Sequence, residues 1–162
     1  MAKVSDSLFL RKVITTDEKL LLNWANDSET RKWSFNSNTI APFEHKKRFK
    51  KKLNSPNVLM LILEQGNRPA GLVRLEKEDD EIVLNYMIAP EERGQGLASK
   101  MLEMAMDIKE DYWGNIKVLA YTLPENITSK KSLNKAGFSL MNSAEGKNCY
   151  KFNKSEIVFT TG

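Results

Sequence analysis

The segment best suited to chemistry is a glycine-rich turn that follows Pro90. It places Gly94, Gly96 and Ala98 at alternate positions where a helix is predicted to begin. Small residues let the backbone approach a ligand closely, and the free N–H groups and dipole of a helix's first turn attract phosphate oxygens. The turn therefore predicts a pyrophosphate-binding site. The alternative interpretation is a helix start that is rich in glycine only for tight packing.

Other phosphate and metal motifs fit the chain poorly. A P-loop requires a Lys-Ser/Thr pair after its glycines, and the dinucleotide fingerprint opens a βαβ unit, whereas this turn follows three predicted strands. The chain has one histidine, His45, and one cysteine, Cys149, so it cannot assemble a zinc ligand set and no metal is predicted. With no histidine near it in sequence, Cys149 is interpreted as a packing residue.

The elements that must position this turn follow from hydrophobic periodicity and turn residues. Three strands precede the turn and a long helix follows it. A short polar helix and a basic helix starting after Pro42 are predicted in the N-terminal third. The predicted strands are 8–13, 58–65, 69–78, 81–89, 117–123, 138–142 and 148–153, and the other helices are 17–26, 94–113 and 126–136.

This order of elements predicts an α+β fold with a mixed, mostly antiparallel central sheet flanked by helices. The strands 81–89 and 117–123 are joined by a helix, so they should run parallel through a right-handed crossover. A length of 162 residues with 41% hydrophobic content suits one core and is too short for two. A single domain over residues 1–162 is predicted.

The turn and a second motif downstream resemble the GNAT superfamily of N-acetyltransferases. Its signature is Arg/Gln-x-x-Gly-x-Gly/Ala after a strand, followed further on by Asn-x-x-Ala/Ser and a helix that ends in Gly-Phe. The resemblance implies a GNAT fold whose sheet is split between the fourth and fifth strands. The matching residues are Arg93, Gly96, Ala98, Asn126, Ser129, Gly137 and Phe138.

The resemblance implies an N-acetyltransferase with acetyl-CoA as cosubstrate, held between the strands that end near Ala89 and Leu123. Backbone groups would pair with its pantetheine arm, the turn would hold its pyrophosphate, and the second motif would fix the thioester. The implied residues are Met87, Ile88 and Ala89 for the arm, Arg93, Gly94, Gln95, Gly96, Leu97, Ala98 and Ser99 for the pyrophosphate, and Asn126 and Ser129 for the thioester.

The implied reaction is direct attack of an amine on the thioester, which requires a proton acceptor, an oxyanion donor and release of a thiolate. By resemblance, the backbone N–H of Ile88 is the oxyanion donor. The tyrosine and glutamate that many relatives use as acid and base are replaced here by Leu133 and Val83. The candidate substitutes are Tyr86, Tyr121 and His45, each with a plain alternative as a packing residue.

The N-terminal third resembles acetyltransferases that modify amino groups on nucleotide-linked sugars, including those of the pseudaminic-acid pathway type. The resemblance implies a UDP-linked amino sugar as the acceptor. The basic run 45–52, in a chain of net charge +4, would then form a cationic rim for phosphates, or else a plain solvated helix. The implied substrate-binding residues are Arg31, Trp33, Phe35, Asn36 and His45.

Other interpretations stay open at this point. An acetyltransferase for a polyamine, an antibiotic or a protein N-terminus would keep the cofactor motif and change the acceptor loop. A non-catalytic acyl-CoA-binding module would explain the missing tyrosine and glutamate. Nucleic acid is not expected as a partner, because the clustered cations lack interleaved aromatic residues. With no secretion signal and no membrane-spanning stretch, the sequence predicts a cytoplasmic monomer or homodimer without a membrane partner.

Overall fold

The computed structural model describes residues 7–153, and this part of the chain contains seven strands and five α-helices. Two short 3-10 helices lie at Thr15–Asp17 and Pro90–Glu92. The strands are β1 (Leu8–Lys12), β2 (Val58–Gln65), β3 (Arg68–Glu78), β4 (Glu81–Ile88), β5 (Lys117–Thr122), β6 (Phe138–Ala144) and β7 (Lys147–Phe152). The helices are α1 (Glu18–Ala25), α2 (Ser28–Lys32), α3 (Pro42–Leu53), α4 (Leu97–Trp113) and α5 (Ile127–Lys135).

The order and type of these elements confirm the predicted α+β fold. The largest difference is at the start of α4, which was placed near residue 94 and begins at Leu97. Gly94 and Gly96 have φ angles of +81° and +71°, which a right-handed helix cannot contain. The helix therefore starts only after the second glycine.

The strands form one mixed sheet in the order β1-β2-β3-β4-β5-β7-β6. Every neighbouring pair is antiparallel except β4 and β5, which run parallel as predicted because α4 connects them. Their pairing covers only four residues of each strand and ends at Leu84 and Ala120. Both strands continue past that pair, so the sheet is split there, between the fourth and fifth strands, as the resemblance implies.

Helices cover both faces of the sheet and build two separate hydrophobic cores. Side chains of α4 and α5, among them Met101 and Leu133, pack on one face in the larger core. Side chains of α1 and α3, among them Trp24 and Phe49, pack on the other face. Successive residues of a strand point to opposite faces, so the side chains of β4 alternate between the two cores. We call these the α4 face and the α3 face.

Helix α3 is amphipathic as its spacing predicts. Phe49 is buried, Leu53 packs against the same core, and the His45 ring stacks on Phe49 at 6.3 Å between centroids. Cys149 is buried and unbonded to another cysteine, in keeping with a packing role. Within residues 7–153, no helix is long and apolar enough to cross a bilayer, and no cluster of three metal-ligating side chains occurs.

Candidate active site

The diverging ends of β4 and β5 open into a cleft of about 1120 Å³. On the α4 face, the start of α4 and the first turns of α5 line it. On the α3 face, α3 and the segment from residue 33 to 40, here called the 33–40 loop, line it. The cleft thus passes through the sheet at the split. Two molecules can meet there from opposite faces.

Backbone polar groups of β4 alternate between β3 and the cleft. The N–H of Ala89 donates to the carbonyl of Ala70 at 2.8 Å. Every second residue of an antiparallel strand bonds to the same neighbour, so Met87 also faces β3, whereas Tyr86 and Ile88 direct their N–H groups toward the opening beside β5. This corrects the expectation that Met87 and Ala89 present backbone groups to the cofactor. Ile88 keeps that role, and Tyr86 joins it.

The turn before α4 offers unpaired N–H groups. Within the described part of the chain, the N–H groups of Gly94, Gln95 and Gly96 donate to no backbone carbonyl or side chain. Both glycines have a positive φ, and a Cβ added to either would meet no atom within 4 Å. Backbone conformation, not crowding, is therefore the reason for glycine at both positions. The turn can bind an anion through its amides.

Five of the seven predicted pyrophosphate residues line the cleft, and Gln95 and Ser99 do not. The amide group of Gln95 donates to Glu92 at 3.0 Å. Ser99 is buried, and its hydroxyl donates to the carbonyl of Gly96 at 3.4 Å. The side chains of Gln95 and Ser99 therefore hold the turn in shape, and neither faces a ligand.

Arg93 ties the turn to α2. Its guanidinium donates to Asp27, the residue that caps α2, and to the hydroxyl of Thr30. The hydrogen bond from Arg93 is the main reason that the pKa of Asp27 lies below its usual value. Arg93 thus connects the cofactor side of the cleft with the segment that leads into the 33–40 loop.

A pair of hydroxyl groups borders the cleft on the α4 face. The Tyr86 hydroxyl lies 2.6 Å from the Ser129 hydroxyl on α5. Burial raises the pKa of Tyr86, an effect that the hydrogen bond from Ser129 partly offsets. Asn126 caps α5 by accepting from the N–H of Ser129 at 3.1 Å. Leu133, at the position of the family's tyrosine, is fully buried and reaches no ligand.

Tyr121 lies on the opposite face from Tyr86. It is 40% exposed and borders both the main cleft and a smaller cavity of about 350 Å³, which Val83 and Phe35 also line. Burial raises the pKa of Tyr121, and the neighbouring Cys149 raises it further. Tyr121 is therefore available to an acceptor on the α3 face and not to the cofactor side.

His45 lines the cleft from α3 and is held by Glu18 of α1. Its Nδ1 lies 3.0 Å from a Glu18 carboxylate oxygen. A carboxylate only accepts, so this contact favours the proton on Nδ1 and leaves Nε2 as the nitrogen that can take a proton. Stacking on Phe49 fixes the ring further. His45 is both packed and chemically available.

The predicted acceptor residues of the N-terminal third surround the α3 side of the cleft, but Arg31 serves the loop itself. Its guanidinium donates to the carbonyls of Ala25, Asn36 and Asn38 at 2.6, 3.0 and 3.2 Å. It also donates to the Ser34 hydroxyl. Arg31 thus shapes the 33–40 loop while it lines the cleft, and its contact with a substrate stays a prediction.

Lysine side chains lie over the rings of two aromatic residues of the 33–40 loop. The Lys32 nitrogen lies 5.0 Å from the ring centre of Trp33, and the Lys147 nitrogen lies 4.4 Å from that of Phe35. Phe35 is half exposed, and the side chain of Asn36 accepts from the N–H of Asn38. These rings offer flat contact surfaces to an acceptor.

Among the polar residues that line the cleft, Arg74 and Asn85 were not singled out by the sequence analysis, whereas Lys52 belongs to the basic run 45–52 that it predicted as a cationic rim. Lys52 lies two turns after His45 on the same face of α3, as the helical period predicts. Arg74 interrupts the apolar run of β3, and Asn85 is its partner on β4. A charged residue in the middle of a buried strand was the available signal.

Comparisons with known proteins agree with this geometry. Residues 7–139 match the family described as Acetyltransferase (GNAT) domain. Similar solved structures include the aminoglycoside acetyltransferase AAC(6')-Ib with coenzyme A and kanamycin, at 18% identity and a TM-score of 0.77, covering 90% of this chain and 93% of that chain. Spermidine N-acetyltransferase from Vibrio cholerae with CoA and spermine, also 18% identical, has a TM-score of 0.76 and coverages of 89% and 92%. No curated protein matches the sequence.

Proposed function

Because the chain belongs to the family of GNAT acetyltransferase domains, we propose that it transfers the acetyl group of acetyl-CoA to a primary amine of a small acceptor. The observation that carries the proposal is the split between β4 and β5, with unpaired backbone N–H groups along β4 and at the start of α4. These groups suit an extended amide-bearing arm and a pyrophosphate. The residues present therefore fit the cosubstrate.

The cofactor side is the α4 face. The N–H groups of Gly94, Gln95 and Gly96 would hold the pyrophosphate, and the backbone of Tyr86 and Ile88 would pair with the pantetheine arm as an added strand would. Bound acetyl-CoA supplies an activated thioester at the split. The Asn126 amide nitrogen, which donates to no described residue, lies at the same mouth of the cleft.

Two groups then act on the reacting atoms. The N–H of Ile88 stabilises the negative charge that develops on the thioester oxygen as the amine attacks. The Tyr86 hydroxyl, supported by Ser129, donates a proton to the departing thiolate. Its raised pKa keeps this hydroxyl protonated at neutral pH, so it is ready to donate. This replaces the tyrosine that α5 lacks.

The amine must lose a proton as it attacks. His45 is the group on the α3 face best suited to take it, through Nε2 and directly or by way of a water. Tyr121 is the second candidate, and its raised pKa makes it the weaker one, since it is protonated at neutral pH. The acceptor would enter from the α3 face, under the 33–40 loop.

For the acceptor itself, we propose the amino group of a nucleotide-linked amino sugar. Support comes from the cations that line the α3 side, Arg48, Lys52 and Arg74, and from the exposed ring of Phe35 in the 33–40 loop. The alternative is a polycationic amine. It is favoured by the kanamycin and spermine bound in the two proteins of similar fold, and by Glu29 and Glu44, which also line the cleft.

The test is thiol release from acetyl-CoA in the presence of single acceptors: a UDP-4-amino sugar, spermidine, kanamycin and a peptide with a free N-terminus. Turnover with the UDP-amino sugar alone would support both parts of the proposal. Turnover with another amine only would keep the acetyl transfer and overturn the acceptor. Tight binding of CoA without turnover would point to a non-catalytic acyl-CoA-binding module.

A further inference from the structure

Arg74 is a cation with unused hydrogen-bond donors inside the cleft. It lies in the middle of β3 on the α3 face, 28% exposed, and lines the cleft. Its Nε is buried 3.2 Å from a Glu76 oxygen but has no hydrogen-bond partner of good geometry. Within residues 7–153, its two terminal nitrogens donate to no protein group. The N–H groups of a half-buried guanidinium normally all have hydrogen-bond acceptors. The unpaired donors of Arg74 are therefore available to bind a ligand.

A second cation sits beside it with the same counter-ion. The Lys52 nitrogen lies 2.8 Å from the Glu76 oxygen that Arg74 also approaches. Burial lowers the pKa of Lys52, and the positive charge of Arg74 lowers it further. One carboxylate therefore serves two cations, and an added anion would relieve their repulsion. Asn85, the cross-strand partner of Arg74, provides a free amide next to them.

Of the acidic side chains that line the cleft, Glu92 is buried beside the turn before α4, where it pairs with Arg68, and the other two, Glu29 and Glu44, lie near the rim. Glu44 pairs with Arg48 at 3.4 Å, and both side chains are 63% exposed. Glu29 is also exposed. The inner part of the α3 side of the cleft is thus positively charged, and its rim has side chains of both charges. A ligand with an anionic end fits this order of charges, with that end innermost.

We propose that Arg74, together with Lys52, binds a phosphate of the acceptor, while the acceptor's amine reaches toward Ile88 and His45. The planar fork of a guanidinium matches two oxygens of a phosphate, which a lysine cannot do alone. The inference rests on the proposed function in that the ligand is its acceptor. It specifies an acceptor that carries both an amine and a phosphate, and it disfavours spermidine, which has no anion to offer.

The test is binding of UDP and of inorganic phosphate to the protein saturated with CoA, so that the glycine turn is already filled. We expect wild-type protein to bind UDP, and Arg74→Met to weaken that binding at least about tenfold. Arg74→Lys should recover only part of it, because it restores the charge and not the fork. Lys77→Met removes a cation from the same strand on the opposite face and should bind UDP as wild type does.

Affinity for CoA and the thermal midpoint are measured for each variant. If Arg74→Met does not fold, the UDP affinities of Lys52→Met and Arg74→Lys are compared with that of the wild-type protein instead. Absence of UDP binding by wild-type protein, or equal binding by Arg74→Met, would overturn the inference.

This result is independent of turnover. UDP binding that depends on Arg74 supports the phosphate site even if no amine is acetylated. In that case the proposed acetyl transfer would be wrong and the phosphate site would still stand. Acetylation of spermidine with a KM that Arg74→Met leaves unchanged overturns the phosphate site and leaves acetyl transfer standing.

Discussion

At the scale of single residues, we propose that the Tyr86 hydroxyl donates the proton to the leaving thiolate. In the family a tyrosine at the position of Leu133 has this role. Tyr86 reaches the cleft from β4, a strand, and contacts α5 through hydrogen bonds with Ser129 and Ser132. The family's tyrosine would come from α5 itself. The same chemical group can therefore reach the same mouth of the cleft from a different element.

The Tyr86→Phe variant tests this assignment. We expect kcat to fall about a hundredfold, because the thiolate loses its proton donor, while the KM for acetyl-CoA changes little. Steady-state kinetics on both substrates would measure this. Tyr112→Phe is the matched control, since it removes an exposed hydroxyl at the end of α4 that does not line the cleft. A kcat for Tyr86→Phe within twofold of wild type would remove Tyr86 from the mechanism.

Gly96 is a residue whose backbone shape matters more than its size. We expect Gly96→Ala to lower the free energy of unfolding by about 1 kcal/mol and to weaken CoA binding, because an alanine resists its φ of +71°. Denaturant unfolding and a CoA titration would measure the two effects. Gly146→Ala has comparable strain, at φ +75°, in the turn between β6 and β7. It should lose stability and keep CoA affinity; equal loss of affinity in both variants would contradict the role of the turn.

At the scale of elements, a partly buried group of ion pairs joins β1 to the segment before α1. Arg11 donates to Asp17 through two nitrogens at 2.8 and 2.9 Å and to Glu64 on β2 at 2.7 Å. Asp17 also accepts from the N–H of Ile14. These bonds fix where α1 starts. They thereby help place the α3 side of the cleft.

The pKa of Asp17 makes the stabilisation by the Arg11–Asp17 ion pair depend on pH. The hydrogen bond from Arg11 lowers that pKa below its usual value, so the stabilisation is present above the unfolded-state pKa and is lost as pH falls through the folded-state one. We expect Asp17→Asn to lower the free energy of unfolding by about 2 kcal/mol at pH 7. The difference from wild type should shrink below about pH 4.

Urea unfolding at neutral and acid pH would measure it. Glu44→Gln, in the exposed pair with Arg48, is the control and should change stability little at either pH. A difference for Asp17→Asn that stays constant with pH would contradict the ion-pair explanation.

At the scale of the whole molecule, exposed lysines on α3 lie near the cleft for which we propose anionic ligands. Lys46, Lys47, Lys50 and Lys51 are exposed and do not line the cleft. They contribute to the net charge of +4 and should attract anionic ligands over a distance without touching them. Steering of this kind acts on association rates and is screened by salt.

Replacing these four lysines with glutamine tests the idea. We expect slower CoA association at about 0.05 M salt and little difference at about 0.5 M, where charges are screened over a few ångströms. Stopped-flow binding at both salt concentrations would measure it, with the dissociation rate as the internal control. A rate deficit that persists at high salt would mean that the lysines make direct contacts instead.

The location in the cytoplasm and the state as a monomer or homodimer stay predictions. So do the individual catalytic roles. What the whole molecule adds is one cleft that runs through the sheet and is lined by most of the predicted site residues. The exceptions are Ala89, whose backbone pairs with β3, and Gln95 and Ser99, whose side chains form hydrogen bonds within the turn.

The sequence by itself determined the elements and the family, because both depend on local patterns. Apolar period, turn residues and the Arg93, Gly96 and Asn126 motifs are all contained in short stretches of chain. Strand β2 was predicted to the residue, since Pro56 precedes it and the Gly66–Asn67 turn follows it.

Only the tertiary structure decided which groups meet. Tyr86 and Ser129 are 43 positions apart, and Lys52 and Arg74, which meet at Glu76, come from a helix and a strand. Which backbone groups of β4 face the cleft depends on its register with β3 and on where its pairing with β5 stops. Such contacts arise from long-range packing, and no pattern along the chain records them.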